Sequence, residues 1–445
     1  MPNSQTIPQL DSSSCDKAIR ASFLHFTDDP DNCPDSWQYF EDGLLILQEG
    51  KVVSLGEASL GLKKLPQDIE LIDYSGKLIM PGFIDTHNHY PQSDMIASYG
   101  AQLLEWLEKY TFPAERRFSD PTVANSIAEF YCEQLLCNGT TTSAAFATVH
   151  TESVDAIFSA AQKRDMCLIS GKVMMDRNAP DFLCDDADSS YQQSAELIKR
   201  WHGQGRNLYA VTPRFAPTSS EAQLQAAGQL LKDFDGLYLQ SHVAENQNEV
   251  AWVKRLFPQR RSYLDVYDYF GLLGERSVYG HCIYLDDIDH ERLADSGAAI
   301  AFCPTSNLFL GSGLFNLEKA KKAGIRVGLG TDVGAGTSFS LLQTLNEAYK
   351  VNQLSGQSLS SIKAFYLVTL GAAKSLYVDD QLGNFEVGKA ADFVVLDLNA
   401  TALMQRRMTR AESIQDQLFV LMMLGDDRAV HATHVMGRCQ YQAGL

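Results

Sequence analysis

The sequence predicts an α/β protein, a (β/α)₈ TIM-type barrel with a small composite β-sandwich built from both chain ends. Eight apolar strand candidates alternate with helices through the middle of the chain. Short β-rich runs broken by Gly occupy both ends. A third observation gives the barrel its direction: polar residues that can carry chemistry gather where several strands end.

The first end zone, 1–78, holds GLLILQEGKVVSLGE (43–57) and most of IELIDYSGKLIMPGF (69–83). Both read as small antiparallel strands. The opening residues are expected to be flexible. The last zone, 384–445, repeats this texture in FEVGKAADFVVLDL and ATHVMGRCQY. Two similar ends around a different middle suggest one β unit made from both.

The middle, 79–383, places strands at 78–87, 140–147, 167–175, 208–215, 237–245, 277–282, 298–304 and 326–332. TVANSIAEFYCEQLLCNG, SVDAIFSAAQKRD and SAELIKRWHGQG supply helices between them, with apolar residues at helical spacing. Apolar strands each followed by a helix indicate a parallel sheet, and eight such units indicate a closed barrel. An open doubly wound sheet would need a Gly-rich loop after its first strand, which is absent here.

Composition narrows the partners. A formal net charge of -18 repels phosphate backbones, so a nucleic-acid polymer is not expected. No apolar run approaches the ~20 residues of a membrane span. MPNSQTIPQLDSSSCDK lacks the basic start and apolar core of a signal peptide. The nine cysteines form no C-x-x-C pair and read as reduced, mostly core thiols. A cytoplasmic protein is the expectation.

Strand one ends in Asp85-Thr86-His87-Asn88-His89. Side chains alternate along a strand, so His87 and His89 point the same way. Strand five ends in His242-Val243-Ala244-Glu245, strand six in His281 and strand eight in Asp332. A barrel brings these ends to one mouth. His87, His89, His242 and Asp332 are the expected metal ligands, a set that suits Zn²⁺ or Fe²⁺ with a position left for water. The metal lowers that water's pKa from ~16 towards ~7. Asp332 could both ligate and take the water's proton. Glu245 could shuttle protons as general acid and base. His281 reads as a further ligand or, preferably, as a hydrogen-bond partner of the attacking water and the oxyanion.

Each signal alone has a plain reading. A lone His-x-His pair can be satisfied polar residues beneath a loop. Asp332 in GTDVG can form an Asx-turn. Their common position on four strand ends is what argues for one metal centre. His25, His150, His202, His290, His431 and His434 lack that placement and read as surface or structural, with only His150 near enough to a strand end to line the pocket. Lys172 lies on the third strand, whereas two-metal barrel hydrolases that bridge their ions with a carboxylated Lys carry it on the fourth, where this chain has Arg214 and no Lys. One metal ion and a structural Lys172 are therefore expected.

PGFIDTHNH, HVAE, YGHC and GLGTD, in this order, resemble the strand-end motifs of the amidohydrolase superfamily in its single-metal deaminase branch. LLEWLEKYTFPAERRFSD (103–120), TPRFAPT (212–218), FCPTSNLFLGSGLFN (302–316) and GLGTDVGAGTSFS (328–340) resemble the guanine-deaminating members. The resemblance implies hydrolysis of a small purine, guanine, to xanthine and ammonia. It implies Gln92, Arg214 and Phe215 as base contacts beside His242, Glu245 and Asp332. It also implies a homodimer. Tyr90 and Pro91, between His89 and Gln92, are bulkier than the family's residues there. The rivals are a related aminohydrolase or chlorohydrolase acting on a pterin, triazine or pyrimidine, and a non-enzymatic scaffold on the same fold.

Overall fold

The computed structural model describes residues 15–99 and 102–444. The expectation of a flexible N-terminus falls mostly on residues 1–14, outside the described residues. From Lys17 onward the chain is strand, which corrects that expectation for 17–20.

Four strands precede the barrel: β1 (Lys17–Phe26), β2 (Trp37–Gln48), β3 (Lys51–Glu57) and β4 (Glu70–Pro81). The barrel holds β5 (Phe83–His89), β6 (Thr140–Phe146), β7 (Cys167–Gly171), the short β8 (Val173–Met174), β9 (Asn207–Pro213), β10 (Tyr238–Val243), β11 (Ser277–His281), β12 (Ala299–Phe302) and β13 (Arg326–Leu329). Three strands follow: β14 (Phe393–Leu396), β15 (Val430–Val435) and β16 (Arg438–Gln442).

Both chain ends share one seven-stranded sheet, in the order β16-β15-β14-β4-β1-β2-β3. The join is β4 against β14, antiparallel, with Met80 opposite Val394. Antiparallel strands were expected, but β1 and β4 are parallel. The path explains this. β2 and β3 fold back as hairpins on one side of β1, and the helical turn Ala58–Gly61 starts the crossover that parallel pairing requires. Alternation gives the sheet two apolar faces. Ile19, Phe23, Leu45, Ile79 and Val395 form its own core. Leu24, Phe26, Leu78, Met80 and Val394 join the barrel core.

The barrel strands run in the order β5-β6-β7-β9-β10-β11-β12-β13, all parallel. The first and last strands meet through backbone bonds at the mouth. The Asp332 N–H donates to the His87 carbonyl at 2.9 Å and the His89 N–H to the Val333 carbonyl at 2.8 Å. Asp85 reinforces the seam: its buried carboxylate accepts from the Thr331 N–H at 3.0 Å and from Asn88 Nδ2 at 2.8 Å.

The outer helices follow their sequence signals. Pro121–Cys137 opens with Pro at its first position and the Asp120 side chain accepting the Thr122 N–H; it stops before Gly139 at φ +80°. Ala187–Trp201 starts seven residues earlier than SAELIKRW suggests, because Asp186 and Ser189 form a reciprocal capping box. After β5 the chain leaves the barrel. It makes the turn Tyr90–Met95 and a helical run at 103–115 before the next strand. Met95, Leu103, Trp106, Leu107 and Phe112 pack this excursion onto Phe146, Val173 and Phe215. Among the described residues no helix is long and apolar enough to cross a membrane.

Candidate active site

His87 and His89 end β5, His242 lies on β10, and Asp332 sits in the loop after β13. Asp332 Oδ1 is 3.4 Å from Nε2 of both His87 and His89. The Nε2 atoms of His89 and His242 are 3.1 Å apart. One donor atom from each of these four residues lies within 4.8 Å of the others.

The hydrogen-bond network fixes the lone pair of His242. His242 Nδ1 is 2.7 Å from the Arg214 backbone carbonyl, which can only accept. Nδ1 therefore carries the proton and Nε2 the lone pair. His87 Nε2 is buried without a hydrogen-bond partner. Facing imidazole lone pairs repel unless a proton or cation lies between them. The donor set thus fits a divalent cation, with Arg214's carbonyl orienting one ligand ring from behind.

The electrostatics agree. Burial, against the pull of Asp332, lowers His89 to about 3. Burial and the neighbouring rings hold His242 well below the usual histidine value. Burial pushes Asp332 upward, but the imidazoles of His87, His89 and His281 beside it outweigh that and keep the carboxyl well below its usual range. Neutral His89 and His242 beside an ionised Asp332 are the protonation states a metal needs.

The backbone is strained here. Ala244, His281, Cys282 and Asp332 all take positive φ, at 52°, 72°, 54° and 51°. Side chains with a Cβ rarely adopt this region, at a cost of about 1–3 kcal/mol each. The turns bring Glu245 and Asp332 to the cavity that His89, His242 and His281 line. Gly280 shows how tightly the site is fitted: a Cβ there would lie 2.8 Å from His87 Cε1.

Glu245 is buried. Its Oε1 accepts from Ser312 Oγ at 2.8 Å, and its Oε2 lies 3.4 Å from His281 Nε2. Burial, then the charge of Asp332, raises its carboxyl to about 8. Glu249 lies behind it and accepts the Glu245 N–H at 2.9 Å. Burial and Glu245 raise Glu249 to about 7. His281 stands apart from the four-donor group. Its Nδ1 bonds Asn307 Oδ1 at 2.8 Å, and its Nε2 is 3.8 Å from Asp332 Oδ2.

One cavity collects these groups. His89, His242, Glu245, His281 and Asp332 line it together with Gln92, Arg214 and Phe215. Leu103, Trp106 and Leu107 of the excursion add an apolar side to the wall, and Glu249, Leu310 and Ala335 complete it. His87 lies against Asp332 and off the cavity surface. His150 is not on the wall; it precedes the helix Thr151–Gln162. Lys172 is fully buried in an ion pair with Asp185. Tyr90 turns away from the cavity: its hydroxyl donates to the Ser153 carbonyl at 2.6 Å and its ring packs on Phe118 and Tyr131.

Five residues of the site escaped sequence reasoning: Trp106, Glu115, Glu249, Asn307 and Ser312. Glu249 had a readable signal, the Asn246-x-x-Glu249 capping box at the start of Gln247–Leu256. Trp106 and Glu115 lie in the unusual 103–120 segment. Asn307 and Ser312 lie in 302–316. Nothing local marks their partners.

A barrel mouth that gathers neutral imidazoles about an ionised carboxylate, beside a buried acid, defines a metal-assisted hydrolase. Comparison with known proteins sharpens the class. The amidohydrolase family model matches residues 78–439. The curated guanine deaminase of Escherichia coli K12 is 54% identical over 429 residues, covering 96% of this chain and 98% of that protein. The solved structure of E. coli guanine deaminase matches with a TM-score of 0.94 over 96% of this chain and 100% of that one. A guanine deaminase from C. acetobutylicum, solved with guanine in its active site, matches at 0.86 with 29% identity, over 96% of this chain and 100% of that one. The chain belongs to the amidohydrolase family, among its guanine deaminases.

Proposed function

We propose that the protein hydrolyses guanine to xanthine and ammonia. The observation that carries this reading is the shared cavity: three of the four cation-ready donors, His89, His242 and Asp332, line one space with Gln92, Arg214 and Phe215, the side chains suited to read a base. The 54% identity to a guanine deaminase supports the choice of base.

In this reading His87, His89, His242 and Asp332 hold one divalent ion, Zn²⁺ or Fe²⁺, with Zn²⁺ preferred for a set of neutral imidazoles and one carboxylate. When bound, the ion lowers the pKa of a coordinated water from ~16 towards ~7. Arg214 donates to the purine carbonyl, Gln92 pairs with the base edge, and Phe215 packs on the ring. Glu245 protonates the ring nitrogen beside the carbon that bears the amine. Asp332 takes the proton of the water that adds to that carbon. His281 hydrogen-bonds the added oxygen. Glu245 or Asp332 then passes a proton to the amine, the C–N bond breaks, and ammonia leaves. Burial suits Glu245 to this work, since an acid raised towards neutrality can both give and take a proton near pH 7.

The cytoplasm is the proposed location, supported by nine cysteines that form no disulfide. A homodimer is the proposed assembly, on the strength of the resemblance alone. The test of function is ammonia release from guanine compared with a panel of pterins, triazines, pyrimidines and other purines. Guanine is expected to be turned over fastest. No turnover of guanine by metal-loaded protein sinks the reading.

A further inference from the structure

The excursion at 103–115 ends in a carboxylate that the proposed chemistry leaves unused. Glu115 is buried, with 1% of its side chain exposed. Both of its oxygens accept from Arg214 Nη1 at 2.8 Å. Oε1 also accepts from Gln92 Nε2 at 3.2 Å. Gln92 Oε1 in turn accepts the Gly334 N–H at 3.2 Å. We propose that Glu115 is a positioning residue for base recognition: it holds Arg214 and Gln92 in the geometry that reads the oxo edge of the purine. This rests on the guanine reading above.

Donors and acceptors are matched around Glu115 and Gln92. A carboxylate only accepts, and a backbone N–H only donates. Glu115 and Gly334 therefore fix which end of the Gln92 amide is nitrogen and which is oxygen. Released from Glu115, the amide could turn over and present the opposite pattern to a ligand. The same logic applies to Arg214. Nη1 is committed to Glu115, so the planar fork is held by one arm and its Nη2 and Nε donors remain for a ligand. The Arg214 guanidinium also lies 5.8 Å from the Phe112 ring, on the same excursion.

Glu115 is not on the cavity wall, whereas both side chains it holds are. It acts through them and does not touch the base. A buried ion pair that served packing alone has no reason to choose these two partners. Here they come from the turn after β5 and from the end of β9, and the helical excursion locks them together.

The test compares two bases on the metal-loaded enzyme. 2-Aminopurine keeps the reacting amine of guanine and lacks its carbonyl oxygen. Glu115→Gln is expected to lower kcat/KM for guanine by about tenfold or more, chiefly through KM. The affinity for 2-aminopurine, read as substrate or as competitive inhibitor, should change by less than about threefold. Equal losses on both bases overturn the proposal, because a structural role cannot tell them apart. A double-mutant cycle adds a second readout: on an Arg214→Met background, Glu115→Gln should cost guanine turnover much less than it does alone. An undiminished cost there also overturns it. If Glu115→Gln does not fold, Glu115→Asp carries the same comparison, with a smaller selective shift expected. If neither folds, Glu115 is structural and the proposal falls. Failure of the wild type to process guanine counts against the functional reading and not against this one.

Discussion

Buried histidines at the barrel mouth can be compared with those in the seven-stranded sheet. His25 and His434 in the sheet are as enclosed as His87 and His89 at the mouth. Each sheet ring also leaves one nitrogen, Nδ1, without a partner. Burial lowers both to about 4, so they are neutral like His89 and His242 at the mouth. The surroundings differ. His434 stacks on Phe393 at 4.3 Å and 14°, with Tyr74 3.0 Å from its Nε2. His25 meets Gln38 and packs beside Phe385. Neither belongs to a group of possible metal donors among the described residues. Burial and neutrality are therefore common to core histidines. Lone pairs converging on a shared carboxylate are what set the mouth apart.

The largest effect should come from removing one of the converging donors. His87→Ala is expected to lose bound metal, measured by elemental analysis, and to cut guanine turnover by more than about 10³. The same assays on His434→Gln should show metal content and turnover near wild type; metal loss there would break the contrast. Glu245→Gln separates chemistry from binding: turnover should fall by about 10²–10⁴ with metal content unchanged. Activity surviving that change would falsify the assignment of the proton shuttle.

A smaller loss is expected from the partner behind a mouth ring. Asn307→Ala frees His281 Nδ1 and should reduce activity by about 10–100-fold while the fold and its melting temperature stay close to wild type. An unchanged kcat/KM would show that the orientation of His281 does not matter. Gly280→Ala should act in the same range by pressing on His87, with metal affinity falling before stability does.

The sheet histidines predict an effect on stability alone. Their folded values lie near 4, below the 6.5 of a free imidazole. As pH falls from about 6.5 to 4, the unfolded chain binds protons that the folded chain refuses. Stability from each ring is complete above that window and declines through it, by on the order of 3 kcal/mol. Urea midpoints across pH 7 to 5 should therefore fall less steeply in His434→Gln than in wild type. Parallel slopes would show that His434 is not kept neutral by the sheet.

Much of this is legible in the sequence. The eight barrel strands are short apolar runs with polar ends, and strand alternation alone aims His87 and His89 together. Ring closure then brings His242 and Asp332 to them. The limits are equally physical. Glu115 and Arg214 are 99 positions apart, and nothing in either neighbourhood names the other. Asn307 and Ser312 reach His281 and Glu245 from a neighbouring segment. Tyr90 sits one residue past β5, in a turn where the two-residue alternation stops, so its inward packing could not be counted off. The parallel β1–β4 pair was hidden for a similar reason. Strand texture does not record direction.

The seam between β5 and the loop after β13 has a consequence for how the protein is made. Three of the four donors precede residue 243, and the last, Asp332, comes some 90 residues later. A chain still on the ribosome can show a growing stack of strands yet offers an incomplete cradle until the eighth strand emerges. β4 likewise waits for β14 to reach it. Metal capture and the final closure of the fold thus fall late in synthesis and close together.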